Sequence, residues 1–216
     1  MIKIDVSTSI GKVSGEFTEA SKARCVMTFA HGAGAPMSHP FMTSMAAELA
    51  NAGITTLRFN FPSMEAKKNR PDVPAVAHKT IEAAAEQAHK KFPSLPLFLS
   101  GKSFGGRMSS QFLSTKTPEY VKGIVFFGFP LHAPGKPSID RADHLRAVKV
   151  PMLFLQGSRD DLAKMDLITE VCSSLPNATL VKFEGADHSF KAAGKKVLIP
   201  ELGEAVNNWI TTVGVR

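Results

Sequence analysis

The segment Gly101-Lys102-Ser103-Phe104-Gly105-Gly106 constrains this chain more than any other. A short apolar run at 95–100 (LPLFLS) leads directly into it, and 107–114 (RMSSQFLS) reads as the opening of a helix. Strand, sharp turn and helix with G-x-S-x-G in the turn force the central residue into a strained backbone conformation. Side chains two positions to either side would collide, which calls for glycine at 101 and 105. Ser103 is then expected at the tip, its hydroxyl exposed and a helix N-terminus beneath it. The pentapeptide alone is a weak signal; its strand-turn-helix setting is much rarer. Gly101-Lys102-Ser103 also matches the end of a phosphate-binding loop, G-x-x-x-x-G-K-[ST], but the position five before Gly101 is Pro96 and the intervening residues are apolar strand.

Around this turn the pattern alternates. Residues 2–6 and 12–17 read as an opening hairpin at a sheet edge, and 23–30 (ARCVMTFA) as the first buried strand. A small-residue loop, His31-Gly32-Ala33-Gly34-Ala35-Pro36, follows. A helix is expected over 40–51, closed by Gly53, then a strand over 54–61, a basic Pro-containing loop over 62–73 and a helix over 75–92. After the serine turn come a nearly continuous apolar strand at 121–129, an irregular stretch over 130–148 with a short helix near 139–146, and a strand at 150–156. A helix over 161–175, a last strand at 178–183 and a closing helix over 197–213 complete the chain. Strands alternating with helices imply a three-layer α/β/α sandwich about a mostly parallel, doubly wound sheet. Reactive loops gather beyond the carboxyl ends of such strands. No insertion is large enough for a cap domain, and 216 residues suit one domain over 1–216.

A serine hydroxyl is a poor nucleophile unless a base removes its proton and a third group orients that base. When acid and base follow the serine, each sits on a loop after a later strand. Asp160 follows the strand ending at Gln156, and His188 follows the strand ending near Phe183. The expected constellation is therefore Ser103 as nucleophile, His188 as general base and then acid, and Asp160 as the carboxylate fixing the imidazole tautomer. Asp161 competes for the acid, although its place just before a helix also suits an N-cap. The developing oxyanion needs donors, one expected at the backbone N–H of Phe104 and the second at Ala33, with Gly34 as the alternative.

The other histidines invite different readings. His31 is expected to make a structural hydrogen bond holding its loop. His39 and His132 lie on loops at the reactive sheet end and are candidates to line the substrate site, while His78, His89 and His144 are read as surface residues on helices. Met37, Phe41, Phe61, Met64, Phe104, Phe129 and Leu131 are candidate pocket walls, with Met37, Phe61 and His132 taken as the substrate-binding set.

Composition narrows the partners. The net charge of +7 could favour anionic ligands, but the basic residues are scattered: Lys67, Lys68 and Arg70 in one loop, Lys90 and Lys91 at a helix end, Lys195 and Lys196 near the C-terminus. With one Trp and one Tyr and no nucleic-acid motif, no nucleic-acid partner is expected. An anionic substrate, such as a phosphate-bearing acyl carrier, stays open. No apolar run approaches the ~18 residues of a membrane span and no signal peptide is apparent, so a cytoplasmic protein without membrane partners is expected. Cys25 and Cys172 read as small buried hydrophobes, and no Cys/His spacing suggests a metal.

The combination Ala30-His31-Gly32-Ala33-Gly34-Ala35-Pro36, Arg58-Phe59-Asn60-Phe61-Pro62, Gly101 to Arg107, Phe129-Pro130-Leu131-His132 and Gly157-Ser158-Arg159-Asp160 resembles the α/β-hydrolase superfamily over nearly the whole chain. Within it, the chain is similar to a small, lidless group related to dienelactone hydrolases and to the hydrolase-like regulatory-subunit proteins of the NSL acetyltransferase complex. The resemblance implies a cofactor-free serine hydrolase of carboxylic esters or thioesters, acting through an acyl-enzyme on a small-molecule substrate. Dienelactone hydrolases proper carry a cysteine nucleophile where this chain has Ser103, so lactone specificity does not transfer. Two other activities fit the same residues: a catalytically silent binding or scaffold protein, and an acyltransferase or perhydrolase with an acceptor other than water. Oligomeric state leaves no trace in the pattern.

Overall fold

The computed structural model describes residues 1–192 and 196–214; Lys195 lies outside them. The opening hairpin forms from β1 (Ile2–Ser7) and β2 (Gly11–Thr18), followed by β3 (Cys25–Ala30), α1 (Pro40–Asn51) and β4 (Ile54–Phe59). A single helical turn, α2 (Pro62–Glu65), precedes α3 (Pro74–Lys91), β5 (Leu97–Lys102), α4 (Phe104–Thr115) and β6 (Val121–Phe127). A 3-10 helix at Asp140–Ala147 leads to β7 (Met152–Gly157), α5 (Met165–Ser173), β8 (Ala178–Phe183) and α6 (Ile199–Thr212).

The strands form one eight-stranded sheet in the order β1-β2-β4-β3-β5-β6-β7-β8. β2 pairs antiparallel with both β1 and β4, and β3 to β8 run parallel to one another. The side-chain period of two explains how one apolar run serves two cores. In β5, Leu97 and Leu99 face α3, α4 and α5 together with Met108, Phe112 and Ile168, whereas Phe98 between them faces α1 and α6 with Met45, Leu202 and Trp209. Phe98 is fully buried and meets the Trp209 ring edge-on at 5.9 Å. Truncating it to alanine would cost about 3–5 kcal/mol.

The topology also places the reactive end. From β3 the chain moves outward to β4 and then crosses back to put β5 on the other side of β3. The loops after β3 and β5 therefore leave the sheet in opposite directions and open a crevice between them. Small differences from the sequence expectation fall at this same end. β5 continues to Lys102, so the strand runs straight into Ser103. β6 stops at Phe127, because Gly128 turns the chain with φ 73°. α5 begins at Met165 rather than near 161, since the preceding loop is held by tertiary bonds: Leu162 N–H donates to Asp160 Oδ1 and Lys164 N–H to His132 Nε2.

Candidate active site

Ser103 stands between β5 and α4 with φ 49° and ψ −113°, one of three non-glycine residues with positive φ among the described residues. Such a conformation costs on the order of 1–3 kcal/mol and persists only where its surroundings hold it. The glycines show what does the holding. A Cβ at Gly101 would lie 2.2 Å from Gly106 N, and one at Gly105 would lie 2.5 Å from Ala30 O and 2.6 Å from His31 O. The first glycine lets strand and helix close upon each other; the second lets the helix press against the end of β3. Phe104 is the first residue of α4, so its N–H has no partner within the helix.

His188 follows β8, and its Nδ1 lies 2.7 Å from Asp160 Oδ2. Asp160, in the loop after β7, has a fully buried side chain. It also accepts from Gln156 Nε2 at 2.5 Å and, through Oδ1, from Leu162 N–H at 2.8 Å, while Gln156 Oε1 accepts from Phe129 N–H at 2.9 Å. A carboxylate saturated in this way favours the tautomer with its proton on Nδ1, and Nε2 has no hydrogen-bond partner among the described residues. Asp161 is exposed and, among the described residues, makes no hydrogen bond or ion pair with His188.

Ser103 and His188 open onto one cleft of about 640 Å³, whose walls include Ala33 and Gly34 from the loop after β3, Phe41 and Met42 of α1, Leu162, and Val197 and Ile199 at the start of α6. The volume suits a small organic molecule, and the walls are largely apolar. The Ser103 hydroxyl makes no hydrogen bond among the described residues and is half-exposed.

Three residues expected at the substrate do not line this cleft. Met37, Phe61 and His132 are buried, at 4%, 0% and 3% exposure. Met37 is clamped by its backbone: its N–H donates to Asn60 Oδ1 at 2.9 Å and its carbonyl accepts from Arg58 at 2.9 Å. The Arg58-Phe59-Asn60-Phe61-Pro62 segment thus holds the loop after β3. The Phe61 ring packs edge-on against His31 and Phe104, behind the serine turn. His132 donates through Nδ1 to Ala133 O at 2.9 Å and accepts at Nε2 from Lys164 N–H, tying the loops after β6 and β7 together. Phe129 and Leu131 are likewise core.

Other residues fare differently. His39 lines the cleft and caps α1 by accepting from Phe41 N–H. His31 makes the expected structural bonds, accepting from Phe61 N–H at 3.0 Å and donating to Gly32 O at 2.6 Å; burial holds its pKa below the usual value. His144 is no free surface residue, since its Nε2 lies 2.8 Å from Ser110 Oγ, and burial together with Arg107 lowers its pKa to about 4. His78 and His89 are half-buried, and the His89 ring stacks on Tyr120 at 4.3 Å. Cys25 and Cys172 are buried free thiols, pushed up to about 12 by desolvation.

Residues not anticipated in the wall include Pro40, Met42, Leu162, Ser189, Lys191, Val197, Ile199 and Lys102. Only Lys102 carried a signal, its place inside the G-x-S-x-G segment, and its Nζ donates to His188 O at 2.5 Å. Among the described residues no group of three or more His, Cys, Asp or Glu side chains converges to hold a metal ion, and no helix is long and apolar enough to cross a membrane.

Comparison with known proteins places the fold. Two Mycobacterium tuberculosis proteins, from different strains and each named "Putative phosphoribosyl transferase", are 29% identical over 189 residues. The aligned stretch is 84% of this chain but 40% of theirs, so the chain spans less than half the length of these relatives. A dienelactone hydrolase structure from Anabaena variabilis superposes with TM-score 0.77 at 20% identity, over 98% of this chain and 95% of that one. A lidless α/β serine hydrolase from Xanthomonas campestris gives 0.76 at 20% identity, over 98% and 93%. These two establish the fold, and a family model described as an alpha/beta hydrolase domain matches residues 23–205. The chain belongs to the α/β-hydrolase family.

Proposed function

We propose that this protein is a serine hydrolase that cleaves a carboxylic ester or thioester through an acyl-enzyme on Ser103, working as one α/β domain. The observation that carries this reading is the strained Ser103 facing the same cleft as His188, whose Nδ1 is held by the buried carboxylate of Asp160. In this reading His188 Nε2 takes the Ser103 proton as Oγ attacks the substrate carbonyl, and then gives it to the departing alcohol or thiol. Water, deprotonated by the same Nε2, attacks the acyl-enzyme and releases the acid. The backbone N–H groups of Phe104 and Ala33 are the proposed donors to the oxyanion; catalytic bonds of this kind commonly tighten only with substrate bound.

The apolar wall of Phe41, Met42, Val197 and Ile199 favours a substrate with a hydrocarbon acyl group, and the open cleft favours a small or flexible one. Phosphoribosyl transfer, the activity in the name of the mycobacterial relatives, is not carried over, because most of each relative lies outside the aligned stretch.

Hydrolysis of p-nitrophenyl acetate and longer-chain esters by wild type beside Ser103→Ala tests the proposal. Turnover is expected to fall roughly 10⁵- to 10⁶-fold in the variant, to the level left by the remaining site. Covalent labelling of wild type, but not of the variant, by a fluorophosphonate is expected alongside. Equal turnover in both proteins would overturn the assignment of Ser103. Absence of both labelling and turnover in wild type would favour a binding protein on the same fold.

A further inference from the structure

Lys102 immediately precedes Ser103, yet its side chain reaches the base rather than the nucleophile. Its stem passes Gly32, and its Nζ donates to the carbonyl of His188 at 2.5 Å. The ammonium lies over the rings of Phe190, at 5.3 Å, and Phe41, at 5.9 Å. A methyl group placed on Gly128 would be 3.1 Å from Lys102 Nζ and 3.4 Å from both Cε1 and Nδ1 of His188, so ammonium and imidazole flank the same small space. Phe190, which closes the His188 loop, is itself held at φ 57° and fully buried. Two strained non-glycine residues, Ser103 and Phe190, are thus bridged by one lysine.

We propose that Lys102 is a positioning residue whose ammonium fastens the His188 loop to the residue preceding the nucleophile, thereby setting where the base stands relative to Ser103. The proposal rests on the reading of Ser103 and His188 as nucleophile and base. One side chain then joins the two loops whose relative placement decides reactivity, and a misplacement of about 1 Å between reacting groups costs on the order of 10²-fold in rate.

The groups around Lys102 make this fastening sensitive to pH. Burial lowers its pKa to about 8, against the opposing pull of the Asp160 carboxylate after β7 and the Asp187 carboxylate after β8. The His188 ring faces it from the same loop as Asp187, Phe41 faces it from α1, and His39 and Lys191 share the cleft. Deprotonation above about pH 8 leaves an amine that donates more weakly to the His188 carbonyl. The sign for stability is opposite. Between pH 8 and the ordinary lysine range the unfolded chain binds more protons, so folding stability rises with pH there, and the buried ammonium is a cost at neutral pH.

The test compares wild type, Lys102→Met and Lys102→Arg in p-nitrophenyl acetate hydrolysis from pH 6 to 10, with melting temperatures at pH 7. Lys102→Met is expected to lose about 10- to 100-fold in kcat with little change in KM. Its melting temperature is expected to be unchanged or higher, whereas a lysine with only a structural role would lower stability and rate together. Wild-type kcat is expected to decline above about pH 8, and Lys102→Arg to hold its rate to higher pH because a guanidinium stays charged. A Lys102→Met rate within two-fold of wild type at every pH, or above it, would overturn the proposal. So would an alkaline decline at the same pH in wild type and Lys102→Arg. Should wild type prove inactive on esters and unlabelled by fluorophosphonate, the hydrolase reading fails separately. Amide exchange over 186–191 then decides the fastening, with faster exchange in Lys102→Met supporting it and equal protection overturning it.

Discussion

His132 and His188 both sit on loops beyond the carboxyl ends of parallel strands, and they do opposite things with the same ring. His132 spends both nitrogens on backbone groups, donating to Ala133 O and accepting from Lys164 N–H. His188 spends one nitrogen, on Asp160 Oδ2, and keeps the other for the cleft. His31 repeats the first arrangement almost atom for atom, between Gly32 O and Phe61 N–H. A histidine whose two nitrogens are both satisfied by main chain is a staple, and one with a nitrogen left over and a carboxylate behind it is a candidate base. Proximity to the reactive sheet end does not distinguish them; the count of ring nitrogens still free does.

This contrast can be broken most sharply by removing each ring. His188→Ala is expected to cost roughly 10⁵- to 10⁶-fold in kcat, measured by ester turnover, with a far-UV spectrum like that of wild type. Full activity in that variant would end the distinction. Next in size, Asp160→Asn is expected to cost about 10⁴-fold by presenting the wrong tautomer, while Asp161→Asn should leave turnover unchanged. A reversal of those two results would transfer the orienting role to Asp161.

His132→Ala probes the staple. Its effect belongs in stability, about 1–3 kcal/mol by denaturant unfolding, because the Lys164 N–H is left without its acceptor. A kinetic loss as large as that of His188→Ala would return His132 to the reaction. Smallest is the acid response of His144, the third non-catalytic design. Its folded pKa of about 4 lies below the ordinary value, so the stability it contributes is complete above about pH 6.5 and is lost as pH falls toward 4. Melting temperature followed from pH 7 to 4 should show a shallower decline in His144→Gln; identical curves would remove His144 from the acid response.

The legible part of the site was the part encoded in local spacing. Gly101 and Gly105 announce a turn because strand, serine and helix are contiguous in sequence, and contiguous atoms collide or fit without help from the rest of the chain. The placement of Asp160 and His188 after β7 and β8 was legible for a related reason: parallel strands deliver their following loops to one edge. The substrate wall was not. Met37 and Phe61 follow β3 and β4 at the sheet edge that also carries the serine turn, but Arg58 and Asn60 clamp one and the rings of His31 and Phe104 enclose the other. Val197 and Ile199, which do line the cleft, lie far along the chain at the start of α6, where nothing local marks them.

By itself the order of residues determined the alternation of strand and helix, the strained serine between β5 and α4, and the edge at which the later loops arrive, since these follow from side-chain period, steric exclusion at glycine and the parallel topology. Tertiary structure alone decided which histidine keeps a free nitrogen, which apolar residues meet solvent in the cleft, and that the lysine beside the serine grips the carbonyl of His188. Those outcomes depend on partners distant in sequence, such as Lys102 with His188 and His132 with Lys164, whose meeting is settled only when the sheet and its loops have closed.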